Sequence, residues 1–166
     1  MSVPPASLAT CEIERHSWSR FRTVRGPGHE VPRALHDLLG ASSPEEVDLA
    51  YWKLENGVVV QGQLFEAAEP VVSVLLAALQ DPLPSFVKFG IGELLFQIVA
   101  GEADESEVAL GNGELGSRCR EQARQGLWTL YRELWSGGLG GLAREILERI
   151  ELDAVRLDTI IAHLKE

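Results

Sequence analysis

Four histidines, two cysteines and twenty-five carboxylates are the side chains of this 166-residue chain that could hold a metal ion or pass a proton. Their spacing favours neither. His16, His29, His36 and His163 form no pair at i, i+3 or i+4, and no HExxH occurs, so no zinc site is expected. Cys11 and Cys119 have no CxxC partner, and two thiols are too few for a disulfide scaffold, which fits a reducing cytoplasm. No GxSxG, Walker A or dinucleotide fingerprint is present. Gly137-Gly138-Leu139-Gly140-Gly141 lacks the preceding strand that a phosphate cradle needs, and reads as a joint between helices. Asp104-Glu105-Ser106-Glu107 lacks the alternating ligands and central glycine of a calcium loop. Glu93, alone in an apolar helix, is expected to face a solvated groove or meet a cation rather than act as an acid or base. No catalytic residue, metal or cofactor is expected, and the chain reads as a non-enzyme.

The carboxylates are informative through their distribution. The formal charge is −10. Residues 30–114 hold fifteen acids against only Arg33, Lys53 and Lys88, whereas residues 1–29 carry a slight positive excess and residues 115–166 balance. An acidic field of this kind repels nucleic acid and steers basic proteins towards itself. The one basic-aromatic segment, Arg15-His16-Ser17-Trp18-Ser19-Arg20-Phe21-Arg22, has the ingredients of a single-strand binder. Its low net charge favours an extension lying across the acidic middle.

Elements able to position these groups are helical. Residues 1–29, bracketed by Pro4-Pro5 and Gly26-Pro27-Gly28, are expected as a partly ordered arm, and residues 30–166 as one helical domain. Leu35, Leu38 and Leu39 form a short apolar stripe ending at Gly40. Ser43-Pro44-Glu45-Glu46 is a capping box with proline in the first turn, followed by Val47, Tyr51 and Leu54 at helical spacing and a left-handed exit at Asn56-Gly57. Residues 63–68 look helix-like. Residues 70–79 and 86–100 are apolar on most sides and are joined by Asp81-Pro82-Leu83-Pro84, so they must run antiparallel and be covered by further helices. Gly90 and Gly92 weaken the second helix and imply close approach of neighbours. An acidic loop over 102–116, a long helix over 117–135 and two shorter helices over 142–150 and 152–164 complete the pattern. Val58-Val59-Val60 favours a strand but is too short to predict one. No strand is expected.

The pattern predicts an all-α fold of stacked antiparallel hairpins, a right-handed α-solenoid of about three hairpins. Ala67-Ala68-Glu69-Pro70-Val71-Val72, with Leu75, Leu76, Leu79 and Asp81, resembles a HEAT repeat. Trp52, Gln61-Gly62, Phe65, Ala67-Ala68 and Pro70-Val71 further resemble the HEAT-repeat-like proteins of actinomycete bacteria, some of which act as toxin-immunity proteins. The resemblance covers about 60 residues. Helical-repeat DNA glycosylases share such a scaffold but need a basic concave face, which an acidic middle does not supply.

These readings imply a cytoplasmic, non-catalytic module that binds one basic protein partner, with a toxin domain as the specific candidate, and neither nucleic acid nor membrane. A regulatory or assembly scaffold for an endogenous protein is the alternative. Glu66, Glu69 and the loop acids Asp104, Glu105 and Glu107 are the expected steering charges, with Glu55 and Glu93 beside them. Trp52 and Trp128 are the expected anchors, since buried tryptophans dominate interface hot spots. On the last long helix, Trp128, Tyr131 and Trp135 share one stripe and Leu127, Leu130 and Leu134 another. Both stripes are expected in the core; a stripe left exposed would be an interface hot spot, which is the condition on which Trp128 serves as an anchor.

Overall fold

The computed structural model describes residues 7–165. The Pro4-Pro5 pair lies outside the described residues. The elements run α1 (Leu8–Arg15), a 3₁₀ turn (Trp18–Arg20), β1 (Arg22–Thr23), β2 (Gly26–Pro27), α2 (Val31–Leu39), α3 (Pro44–Val58), β3 (Val59–Val60), β4 (Gln63–Leu64), α4 (Ala68–Ala78), α5 (Ser85–Val99), β5 (Glu102–Ala103), α6 (Glu105–Ala109), α7 (Leu115–Arg124), α8 (Leu127–Ser136), α9 (Leu142–Ile150) and α10 (Ala154–Leu164). The fold is mostly helical.

The helix starts follow from local chemistry. At α3 the Glu46 N–H donates to Ser43 Oγ (3.2 Å), while the Glu46 carboxylate accepts the N–H and hydroxyl of Ser42 (2.7 and 3.0 Å). The box closes one residue earlier than expected, and it satisfies the same class of orphan donor. Ser7, Asp104 and Asp153 cap α1, α6 and α10.

Helices α4 and α5 are the centre of the molecule. Val71, Val72, Val74 and Leu75 on α4, and Val87, Ile91, Leu94, Leu95, Ile98 and Val99 on α5, are fully buried. Each such side chain contributes about 1.5–3 kcal/mol relative to exposure. Two rows of helices cover them: α1, α4 and α7 pack side by side in one, and α3, α5 and α9 in the other, with α2 on α3 and α8 on α9. The two glycines of α5 explain the second row. A Cβ on Gly90 would lie 2.7 Å from Val47 Cγ1 of α3, and one on Gly92 would lie 3.1 Å from Leu142 Cδ1 of α9. Each glycine admits one neighbour, on opposite sides of the helix.

Four expectations need correction. Residues 7–29 are built into the core: Ala9, Ile13 and Trp18 are buried, α1 packs on α4, and the Trp18 indole donates to the Ile13 carbonyl (2.7 Å). The Trp18 ring, packed against His16 and Phe21, is thereby removed from any base-stacking role. Strands do occur. Gln61 and Gly62 both take positive φ (50° and 79°), which makes a tight hairpin of β3 and β4 in place of the helix-like stretch expected after Gly62. Strand β5 then pairs parallel to β4, using the α4–α5 hairpin as its crossover. Helix α3 runs through Asn56-Gly57 to Val58, and the left-handed residues come after it. The helix expected over 117–135 breaks at Gln125-Gly126, because Gly126 abuts α4, where a Cβ would lie 2.6 Å from Leu76 Cδ2.

Candidate protein-binding surface

The acidic residues divide into two populations according to what faces them. Glu107 is 1% exposed. Its Oε1 accepts Arg22 Nε (3.0 Å) and the Glu66 N–H (3.3 Å), and its Oε2 accepts Arg22 Nη2 (2.8 Å) and Asn112 Nδ2 (2.9 Å). Burial pushes this carboxyl up, but the Arg22 guanidinium and the Asn112 amide outweigh it and hold the group below its ordinary range. Glu66 also belongs to this knot, accepting the Arg22 N–H (3.0 Å) and pairing with its guanidinium (3.1 Å). Glu69 pairs with Arg118 (3.4 Å), which also donates to Asn112. Asp104 caps α6 by accepting the N–H and hydroxyl of Ser106 (3.0 and 2.6 Å). Of the expected steering charges in this region, only Glu105 is exposed and without a partner among the described residues. Glu66, Glu69 and Glu107 instead bind β1, the start of α4 and the loop before α7 into one body.

Two further carboxylates are internal. Glu133 of α8, 2% exposed, takes Lys88 Nζ on both oxygens (3.1 Å each). Glu151 accepts the Tyr131 hydroxyl (2.6 Å), the Asp153 N–H (2.9 Å) and two donors of Arg156 (2.9 and 3.2 Å). Burial raises the Glu151 carboxyl, but these donors, Arg156 foremost, bring it down to about 2. A group depressed in the folded state contributes its stability above its unfolded value, near 4.5, and loses it as the pH falls towards 2. Glu151→Gln is therefore expected to flatten the acid limb of a stability profile between about pH 4.5 and pH 2, read by urea midpoints.

The outward population is centred on α3 and α5. With Val47, Ala50 and Leu54 turned inward, Leu49 and Trp52 stand 67% and 63% exposed on the far side of α3. Asp48 and Glu45 are exposed beside them, and Glu55 is half-buried one turn on from Trp52. Tyr51 bridges to α5. Its hydroxyl is raised by burial and by the negative charges of Glu55 on its own helix and Glu93 on the facing one. Exposed Glu93 and Phe89 share the outer face of α5. None of Glu45, Asp48, Glu55 and Glu93 is in an ion pair among the described residues. Of the expected site, then, Glu55 and Glu93 meet around Tyr51, and Trp52 stands one turn from Glu55 on α3. Leu49 was legible as a residue opposite the core stripe of its helix; Phe89 had no such signal.

Trp128 lies elsewhere. It is 64% exposed, packs beside Tyr131 (5.5 Å between centroids), and carries the Arg156 guanidinium over its ring (5.5 Å). Trp135 is 60% exposed as well, so this half of the aromatic stripe is not core; Tyr131 and Leu130 are.

Among the described residues, no group of three or more histidine, cysteine or acidic side chains is placed to hold a metal ion, and no helix is long and apolar enough to cross a membrane. Comparison with protein-family models, with curated proteins and with solved structures gives no match to this chain.

Proposed function

We propose that this chain is a non-catalytic, cytoplasmic protein-binding module, a small HEAT-like α-solenoid that occludes one basic protein, most specifically a bacterial toxin that it neutralises as an immunity protein. The supporting observation is the α3–α5 face. Leu49 and Trp52 are large apolar side chains held in water, with Glu45, Asp48 and Glu55 on the same helix in no ion pair among the described residues. In the 102–107 segment, by contrast, Glu102, Asp104 and Glu107 already have partners within the fold. A desolvated aromatic anchor with a charged rim is the arrangement that carries binding energy at interfaces. The rim charges act mainly on encounter rate and on rejection of acidic competitors. The two rows of helices, with α5 between α3 and α9, are compatible with stacked hairpins.

The test is co-purification with the product of the adjacent gene, followed by a growth-rescue assay on co-expression. Wild-type protein is expected to restore growth. Trp52→Ala is expected to weaken the complex by at least about 2 kcal/mol, mostly through faster dissociation. Glu55→Lys with Glu93→Lys should instead slow association and abolish its salt dependence. Absence of both rescue and complex removes the immunity reading.

An assembly scaffold is the second reading, favoured by a different surface. Trp128, Leu152 and Val155 expose 64%, 80% and 75% of their area where α8 meets the start of α10. A partner seated there would bind almost independently of salt.

A further inference from the structure

We propose that the cavity between the β1–β2 hairpin, α2 and the C-terminal half of α3 is a binding site for a small organic anion, a phosphate or carboxylate carried on an apolar body. Its volume is about 620 Å³, within the ~300–1,000 Å³ of small-molecule sites and equal to roughly twenty water volumes. That is more room than a bare inorganic ion needs. The floor is apolar, made by the buried Val31, Ala34 and Leu54, and Arg25, Arg33 and Lys53 stand around it.

The charge placement is what points to an anion. The strongly acidic stretch 30–114 contains only three cations, and two of them, Arg33 and Lys53, line this one cavity. Neither is in an ion pair among the described residues, although Glu30 and Asp37 line the same space. Arg25 has only a long contact with Glu30 (3.7 Å). Arg22, Lys88 and Arg156, by contrast, each meet a carboxylate within 3.1 Å. Arg20, Arg124, Arg149 and Lys165 also have no carboxylate partner among the described residues, but none of them lines this cavity. A guanidinium and an ammonium left without internal partners above an apolar floor suit a ligand that brings its own negative charge. Glu30 and Asp37 then select among anions. They repel a compact multivalent ion and accept hydrogen bonds from a hydroxyl or amine on the ligand body. A nucleoside monophosphate and a hydroxylated aromatic carboxylate both satisfy these conditions. Lys53 is about 100° from Trp52 around α3 but one turn from Leu49, so the cavity adjoins the proposed partner face, and Arg33 on α2 is the position that tests the cavity alone.

The experiment is titration of the ¹⁵N-labelled full chain with adenosine 5′-monophosphate, 4-hydroxybenzoate and inorganic phosphate, following the amides of Gly28 and Gly57. Saturable shifts at both glycines are expected with at least one of the two organic probes, and which one responds distinguishes a phosphate from a carboxylate ligand. Inorganic phosphate is expected to bind at least about tenfold more weakly. Arg33→Glu and Lys53→Glu should each weaken the organic probe by about tenfold or more, whereas Arg144→Glu on α9 leaves it unchanged. Arg33→Gln serves as the milder variant should charge reversal disturb α2. The proposal is overturned if neither organic probe shifts these amides, if the shifts survive in the Arg33 and Lys53 variants, or if inorganic phosphate binds as tightly as the organic probes.

Discussion

Glu107→Ala is expected to lower the stability of the protein by about 2–3 kcal/mol, the cost of leaving buried donors unmade and a cavity behind. The substitution removes one carboxylate and strands the Asn112 amide and the Glu66 N–H, while the Arg22 guanidinium keeps the Glu66 carboxylate (3.1 Å). Arg22 is 42% exposed and can recover water, so most of the cost falls on the backbone N–H and the cavity left at Glu107. Urea unfolding checks the magnitude. Arg22→Ala should cost at least as much, because it leaves the 1%-exposed Glu107 carboxylate without a cation. The double variant should lie well short of the sum of the two, because each residue loses its value once the other is gone. Additive effects would mean that the two do not form one unit.

The second large effect concerns α5. Gly90→Leu is expected to destabilise by about 3 kcal/mol, the upper end for overpacking a core. The informative comparison is alanine. In an open helix interior, glycine to alanine gains about 1 kcal/mol from propensity. Gly57 of α3 is such a position, helical and with no atom within 4 Å of the point a methyl would occupy, and Gly57→Ala should stabilise. At Gly90 the same methyl would lie 2.7 Å from Val47 Cγ1 and 3.3 Å from Leu38 Cδ1, so the sign reverses. Paired melting curves of Gly57→Ala and Gly90→Ala decide the matter. A stabilised Gly90→Ala would show that α3 and α5 can part without cost.

What was legible in the sequence was whatever depends on near neighbours. The Ser43–Glu46 cap, the antiparallel pair joined at Asp81-Pro82-Leu83-Pro84 and the close-approach glycines of α5 all follow from side chains a few positions apart. The Glu107 site does not. Its cation lies 85 residues upstream, in a segment expected as an arm, and nothing within Asp104-Glu105-Ser106-Glu107 separates the buried acid from its exposed neighbours. Strands β3 and β4 share this difficulty, since two-residue strands are held by pairing and by the positive φ of Gln61 and Gly62, which glycine alone announces. Of the binding face, Trp52 could be placed from its angle relative to Val47 and Leu54. The exposure of Trp128 and Trp135 had no such signal, and the break before their helix at Gly126 meets a leucine on a distant helix.

The parallel pairing of β4 with β5 has a mechanical consequence. The Glu102 N–H donates to the Gly62 carbonyl (2.9 Å) and that of Asp104 to the Leu64 carbonyl (3.0 Å), so the segments entering α4 and leaving α5 are stitched together. The α4–α5 pair is thus clasped at the end away from its own turn, and those two bonds must break before the helices can part there.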